Sequence, residues 1–270
     1  VWADLLEHSM CFVRGFKMSD MKIHFVVSPA EYAQGFGRQC VKQWGETNIL
    51  KASYVVSIGG DGTALVAEQE ALSAYLLTGQ MLPVYVIDYS NTKEHVGALT
   101  NKGITTPQEI ERRIKEAQKV SIYPLQADCV LQQTNEPKSY FGINEITVKI
   151  SRYEMTYMDV DILSKGKVKD SFYVAGDGIV IATPMGKTAY YHNLGGKSFQ
   201  NDRLGLQTIA AKKNINKIIP DNHQVAISVR SAHRPTCVMR DCNLSSPPIV
   251  STRIYKSKVP LTVLKDRVRD

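Results

Sequence analysis

The sequence predicts an α/β domain with a parallel sheet, followed by a β-rich domain, and three observations carry that expectation. Strand and helix patterns alternate over the first 120 residues, as parallel sheets require. After Val120 the pattern becomes one of strands separated by turn signals. Between the two patterns stands a buried-looking run, Val55 to Ile58, that stops in a glycine loop and hands over to a helix. The boundary is placed between residues 124 and 125, giving units 1–124 and 125–270, with the tail from about 245 expected to pack back on the first unit. A chain of 270 residues is long enough for one large domain or two ordinary ones.

In chain order, Met21 to Val27 reads as the first strand and Pro29 to Trp44 as a helix with apolar residues at helical spacing. The opening Val1 to Lys17 lacks a continuous apolar core, so no signal peptide is expected and the first twenty residues read as an extension. Tyr54 to Ile58 is a strand, Thr63 to Leu77 a helix and Val84 to Asp88 a third strand. Thr106-Pro107-Gln108-Glu109 is a capping box with proline at the first helical position, opening a helix to about Lys119. This alternation is Rossmann-like, and ligands of such sheets sit at the carboxyl ends of the strands, here Asp61 and Asp88 to Asn91. In the β-rich half, strands are expected at Cys129 to Gln133, Tyr140 to Ile150, Thr156 to Leu163, Phe172 to Ala175, Ile179 to Thr183, Val225 to Arg230 and Cys237 to Arg240. Such a set suits a β-sandwich.

Composition narrows the function classes. Apolar content of 43% and charged content of 22% are those of a globular chain, and no apolar run approaches the roughly 18 residues of a membrane span. The net charge of +7 is spread over Lys165, Lys167 and Lys169, over Lys212, Lys213 and Lys217, and over the tail from Arg253 to Arg269. Without interleaved aromatics or a nucleic-acid motif, this reads as solvated faces or attraction to phosphorylated small molecules. Cys11, Cys40, Cys129, Cys237 and Cys242 are odd in number and form no C-x-x-C pair, which suits reduced thiols in the cytoplasm. His233, Cys237 and Cys242 stand at unpaired spacings, so no protein-held metal is expected.

The first motif is Gly59-Gly60-Asp61-Gly62-Thr63. Its glycines let backbone N–H groups approach a phosphate, and the helix that follows adds partial positive charge. Asp61 repels phosphate and so needs another task, such as taking a proton from a hydroxyl nucleophile or holding Mg²⁺. A dinucleotide fingerprint starting at Gly60 is excluded because Leu65 stands where its last glycine belongs. A Walker loop ending in Gly186-Lys187-Thr188 is excluded by Ile181.

The second motif is Asn144-Glu145, which interrupts the apolar run from Tyr140 to Ile150. An edge strand with a wet face would account for it, as would an amide and a carboxylate reading a base and ribose hydroxyls. The third runs from Gly176-Asp177-Gly178 through Thr183-Pro184-Met185-Gly186-Lys187-Thr188-Ala189-Tyr190 to Gly195-Gly196. Asp177-Gly178 alone is an ordinary hairpin turn. Its continuation predicts a short helix from Thr188 to Leu194, presenting a hydroxyl, a small residue and an aromatic ring suited to a nucleoside.

In this order the three motifs resemble the NAD kinases, over about residues 21 to 245. The first is shared with lipid kinases and more loosely with phosphofructokinases, whereas the third is highly specific. The resemblance implies transfer of the terminal phosphoryl group of ATP with Mg²⁺, or of another donor, to the 2′-hydroxyl of the adenosine ribose of NAD, forming NADP. It implies that Asp61 orients and deprotonates that hydroxyl, while Gly59, Gly60, Gly62 and Thr63 cradle phosphates. Asn144 and Glu145 would hold the adenosine part, Asp177 would bind the dinucleotide, and Thr188, Ala189 and Tyr190 would line the pocket, with Lys187 a further candidate. It also implies a homo-oligomer, a dimer or tetramer. Departures mark a divergent member: the loop from Ile87 to Thr100 is longer and poorer in glycine, Lys187 replaces a small hydroxyl residue, Gly205 to Lys212 follows the pattern loosely, and Asp241-Cys242 replaces Asp-Gly. Two alternatives stand beside the enzyme: a degenerate sensor or sink for NAD or NADP, which the intact glycine loop opposes, and a lipid or small-molecule kinase, which has no use for Thr188 to Tyr190.

Overall fold

In the computed structural model, residues 21–89, 100–231, 233–241, 243, 244 and 246–267 are described. The first part comprises β1 (Ile23–Val27), α1 (Glu31–Trp44), β2 (Tyr54–Gly59), α2 (Asp61–Thr78), β3 (Val84–Asp88), α3 (Gln108–Glu116) and β4 (Gln118–Ile122). Strand β2 is apolar on both faces because both are covered. Val56 and Ile58 pack with Phe36 of α1 and with Ile110 and Ile114 of α3. Val55 packs on the other side, with Ala64, Ala67, Ala71 and Ala74 of α2. Helix α2 stops at Gly79, whose left-handed backbone (φ +74°) no other residue type adopts as readily.

The α3 start is half of the expected capping box. The Glu109 carboxylate reaches back to the N–H groups of Thr105 (2.9 Å) and Thr106 (3.2 Å), but no side chain caps the helix from its N-cap position. The helix ends at Glu116 rather than near Lys119, since Ala117 is extended (ψ 147°) and the chain goes directly into β4.

The remaining strands are β5 (Leu125–Leu131), β6 (Pro137–Gly142), β7 (Glu145–Ile150), β8 (Thr156–Ser164), β9 (Lys167–Gly176) and β10 (Gly178–Ala182). After α4 (Tyr190–Asn193) come β11 (Arg203–Ile209), β12 (Asn216–Pro220), β13 (Gln224–Val229), β14 (Thr236–Arg240), β15 (Asn243–Leu244), β16 (Ile249–Lys256) and β17 (Leu261–Lys265). Two six-stranded antiparallel sheets result, in the orders β12-β11-β10-β7-β14-β15 and β6-β5-β16-β13-β8-β9. Their inward residues, among them Ile146, Val148, Ile179 and Val238 from one and Ala127, Met158, Val160 and Ile254 from the other, share one core.

Three expectations are corrected. The Tyr140 to Ile150 run is two strands in different sheets, broken at Ile143-Asn144, so Asn144 sits in a crossing between layers. Asp177-Gly178 is no hairpin turn, because β9 and β10 likewise belong to different sheets. The first sheet is mixed, not parallel throughout. Its order is β1-β2-β3-β17-β4, with β4 antiparallel to β17.

Strand β17 is held beside β3 by side chains as well as by pairing. Buried Asn101 donates to the Leu264 carbonyl (3.0 Å) and accepts from the Asp266 N–H (2.8 Å), while the Tyr85 hydroxyl (2.9 Å) and Arg113 (2.9 Å) meet the Asp266 carboxylate. The outer face of α2 then lies against both β6 and β17, through Leu65, Leu72 and Tyr75 packed with Phe141, Ile143 and Leu261.

Candidate functional site

The glycine loop closes the carboxyl end of β2. Gly60 is the N-cap of α2 in an extended conformation, and its carbonyl accepts from the N–H groups of Thr63 (3.0 Å) and Ala64 (3.1 Å). Gly59 has φ +157°, and a Cβ there would stand 2.5 Å from the Thr63 hydroxyl oxygen, so both conformation and space demand glycine. At Gly60 and Gly62 a Cβ would meet nothing within 4 Å, so the backbone of the first turn is open to a ligand. Asp61 is exposed at the first position of α2, where the helix dipole favours its charge. The end of β3 joins the loop through the Tyr89 N–H, bonded to the Gly59 carbonyl (3.1 Å).

The Asn144 turn is gripped from two sides. Asp241 takes a left-handed conformation (φ +47°) after β14, and its buried carboxylate accepts from the N–H groups of Ile143 (3.0 Å), Asn144 (2.7 Å) and Glu145 (3.2 Å). From the other side, the Thr183 N–H donates to the Asn144 carbonyl (2.8 Å) and the Thr183 hydroxyl to the Ile143 carbonyl (2.7 Å). The same hydroxyl accepts from the N–H groups of Met185 and Gly186, bending the chain after Pro184. A Cβ on Gly186 would lie 2.1 Å from the Asn144 carbonyl oxygen, so only glycine fits there.

Gly186 to Thr188 forms a single 3-10 turn, and α4 starts at Tyr190. This places Thr188 in solvent with Ala189 and Tyr190 half-buried beside it. The segment is anchored by Tyr191, whose ring is fully buried against Phe199 (5.6 Å, edge-on) and whose hydroxyl donates to the Lys197 carbonyl (3.1 Å).

Helix α2 and the Asn144 turn meet at Asp241. The Gln69 amide of α2 donates to the Asp241 carboxylate at 2.6 Å. Next to Gln69, Glu68 is buried, and burial first, then the Asp241 and Asp61 carboxylates, push its carboxyl up to about 8. Asp61, Glu68, Asp241 and the Asn144 turn therefore form one constellation across the junction of the mixed sheet with the β-rich part. Among the described residues, no group of three or more His, Cys, Asp or Glu is arranged to hold a metal ion.

No family model matches the chain. It is similar to the NAD kinase of Rhizorhabdus wittichii, with 27% identity over 258 residues, 92% of this chain and 94% of that protein. It is also similar to the NAD kinases of Xylella fastidiosa (27% over 191 residues, 70% of this chain) and Brucella melitensis (28% over 176 residues, 64% of this chain). The matched part spans 65% and 62% of those two relatives. Among solved structures, the fold resembles an Archaeoglobus fulgidus NAD kinase in complex with ATP (TM-score 0.66, 18% identity, 92% of this chain and 94% of that one). It also resembles yeast NADH kinase complexed with NADH (TM-score 0.61, 17% identity, 80% and 62%). These likenesses in sequence and fold support a divergent member of the NAD kinase family.

Not every candidate residue comes to the same place. Asp177 lies at the start of β10, while Thr183 and Asn144 lie past its end; six residues of strand put about 20 Å between them. Asp177 instead borders a cavity of about 760 Å³ lined by Lys149, Arg152, Tyr153, Cys237 and Met239. Among the described residues, Lys187 reaches only Asn201, at 3.5 Å. The divergent stretch 90–99 and Cys242 lie outside the described residues. Sequence reading missed Glu68, Gln69 and the anchoring role of Asp241. The available signal was an unusual glutamate at the seventh position after Asp61, on the same helix face.

Proposed function

We propose that the protein is an NAD kinase, transferring the terminal phosphoryl group of ATP to the 2′-hydroxyl of the adenosine ribose of NAD. The observation that supports this is the packing of α2, which bears Asp61 at its start and Gln69 bonded to Asp241, beside the Asn144 turn that the Asp241 carboxylate holds. Supporting it, the similar solved structures are complexes with ATP and with NADH. In this reading Asn144 and Glu145 hold the adenosine part of the dinucleotide, and Thr188, Ala189 and Tyr190 line the dinucleotide's pocket. Gly60 and Gly62 admit the donor phosphates to the first turn of α2, next to Gly59 and Thr63, and Mg²⁺ arrives with the triphosphate. The hydroxyl oxygen bonds to the γ-phosphorus as the bond to ADP breaks, and the hydroxyl proton passes to Asp61.

The same reading divides the chain near 124/125 into a Rossmann-like unit and a β-sandwich, and it puts the protein in the cytoplasm as a homo-oligomer. Asp177, set about 20 Å along β10 from Thr183 and the Asn144 turn, would serve the site of a second copy. The test is to incubate the protein with NAD, ATP and Mg²⁺ and to measure NADP. NADP is expected, and Asp61→Asn should lower turnover about 10²- to 10⁴-fold while NAD still binds. Near-normal turnover in that variant removes Asp61 from the base role; bound NAD with no NADP from the parent leaves a sensor.

A further inference from the structure

Glu68 is a buried acid that the phosphoryl-transfer chemistry itself does not use. It stands seven residues after Asp61, so two helical turns bring it back to nearly the same face of α2. Its exposure is 4%, and among the described residues no hydrogen-bond donor is recorded for its carboxyl. On its own helix it is flanked by Leu65 and Leu72, which pack in the apolar seam with Phe141 and Ile143 from the β6 side and Leu261 of β17. The charged groups facing it are Asp61 on α2 and Asp241 after β14, and no lysine, arginine or histidine among the described residues acts on it.

The three carboxyls differ in what surrounds them. The Asp241 carboxylate accepts four N–H donors, from Ile143, Asn144, Glu145 and Gln69. Asp61 is exposed at a helix N-terminus, which favours its charge. Glu68 has neither support and is the member that stays neutral. A charge there would push α2 away from Asp241 across the seam, at the contact Gln69 makes.

We propose that Glu68 is a positioning residue whose uncharged carboxyl lets α2 close on the Ile143–Glu145 turn, holding Asp61 against the nucleoside-reading segment. This rests on the kinase reading for its effect on turnover, but not for its effect on the fold. Because the folded-state pKa of about 8 exceeds the ordinary 4.5, the unfolded chain loses this proton first. The associated stability is complete below about 4.5 and falls away as pH rises to about 8.

The test compares the parent with Glu68→Gln and Glu68→Ala. In thermal melts without substrates, the midpoint of Glu68→Gln should gain several degrees on the parent between pH 5 and pH 8.5, and the gap should stay level at higher pH. A gap independent of pH overturns the inference. In the NADP-forming assay, the parent should lose about ten-fold in kcat/KM per pH unit above pH 8, a limb that Glu68→Gln lacks. At pH 7, Glu68→Ala should lose about ten-fold and the glutamine variant should recover most of it. A limb retained by Glu68→Gln also overturns the proposal. If the melts diverge as expected and the parent forms no NADP, the kinase reading fails while the closure through Glu68 stands.

Discussion

Gly186 shows how little room the site leaves for a side chain. The would-be Cβ position at 2.1 Å from the Asn144 carbonyl oxygen lies against backbone, which cannot swing aside. Gly186→Ala should therefore shift the Asn144 turn and cost about 1–3 kcal/mol, read as a lower urea midpoint, together with a raised KM for NAD. The glycine was legible in the sequence as a point of close approach. Its partner was not, because Asn144 and Gly186 are joined only when β7 and β10 pair, with Glu145 opposite Ala182. Asp241 illustrates the same gap between identity and role. As an Asp without the glycine expected after it, it reads as a departure; in the fold it binds three consecutive N–H groups.

At the scale of elements, periodicity exposed those that bury one continuous face. Strands β1 to β3 and helices α1 and α2 lie within about two residues of expectation, since each carries an apolar run or a helical stripe. Strands β4, β11, β12, β16 and β17 carried weaker signals. β4 is mostly exposed and polar, so it reads as the tail of α3. In β11, Gly205 interrupts the pattern because a Cβ there would lie 2.6 Å from the Tyr191 ring. The break between β6 and β7 is an element-scale device, since Asp241 organises the crossing between two sheets. Asp241→Asn would aim an NH₂ group at some of the four donors and leave them without an acceptor. The expected loss is about 3 kcal/mol in denaturant unfolding, with turnover falling alongside it.

For the whole molecule, the separation along β10 makes a prediction that one chain alone cannot satisfy. If Asp177 serves the site of a second copy, Asp61→Asn and Asp177→Ala should each be impaired. Mixing them under conditions that exchange subunits should restore a fraction of NADP formation, because mixed oligomers contain sites with both residues intact. No recovery on proven mixing would assign Asp177 to its own cavity, beside Lys149 and Arg152. The spread-out +7 charge leaves a surface able to attract polyanionic nucleotides over some distance, an effect that added salt weakens.

The position of β17 bears on how the chain is made. The strand lying between β3 and β4 in the first sheet is the last of the described strands, and it pairs with β4 across some 140 intervening residues. A ribosome therefore releases β1 to β4 long before their central gap can be filled, and the β-rich part, whose strands are nearly all consecutive between β5 and β16, can assemble first. The glycine loop on β2 is thus synthesised well before the strand that completes its sheet, and it reaches its finished setting only after β17 has docked.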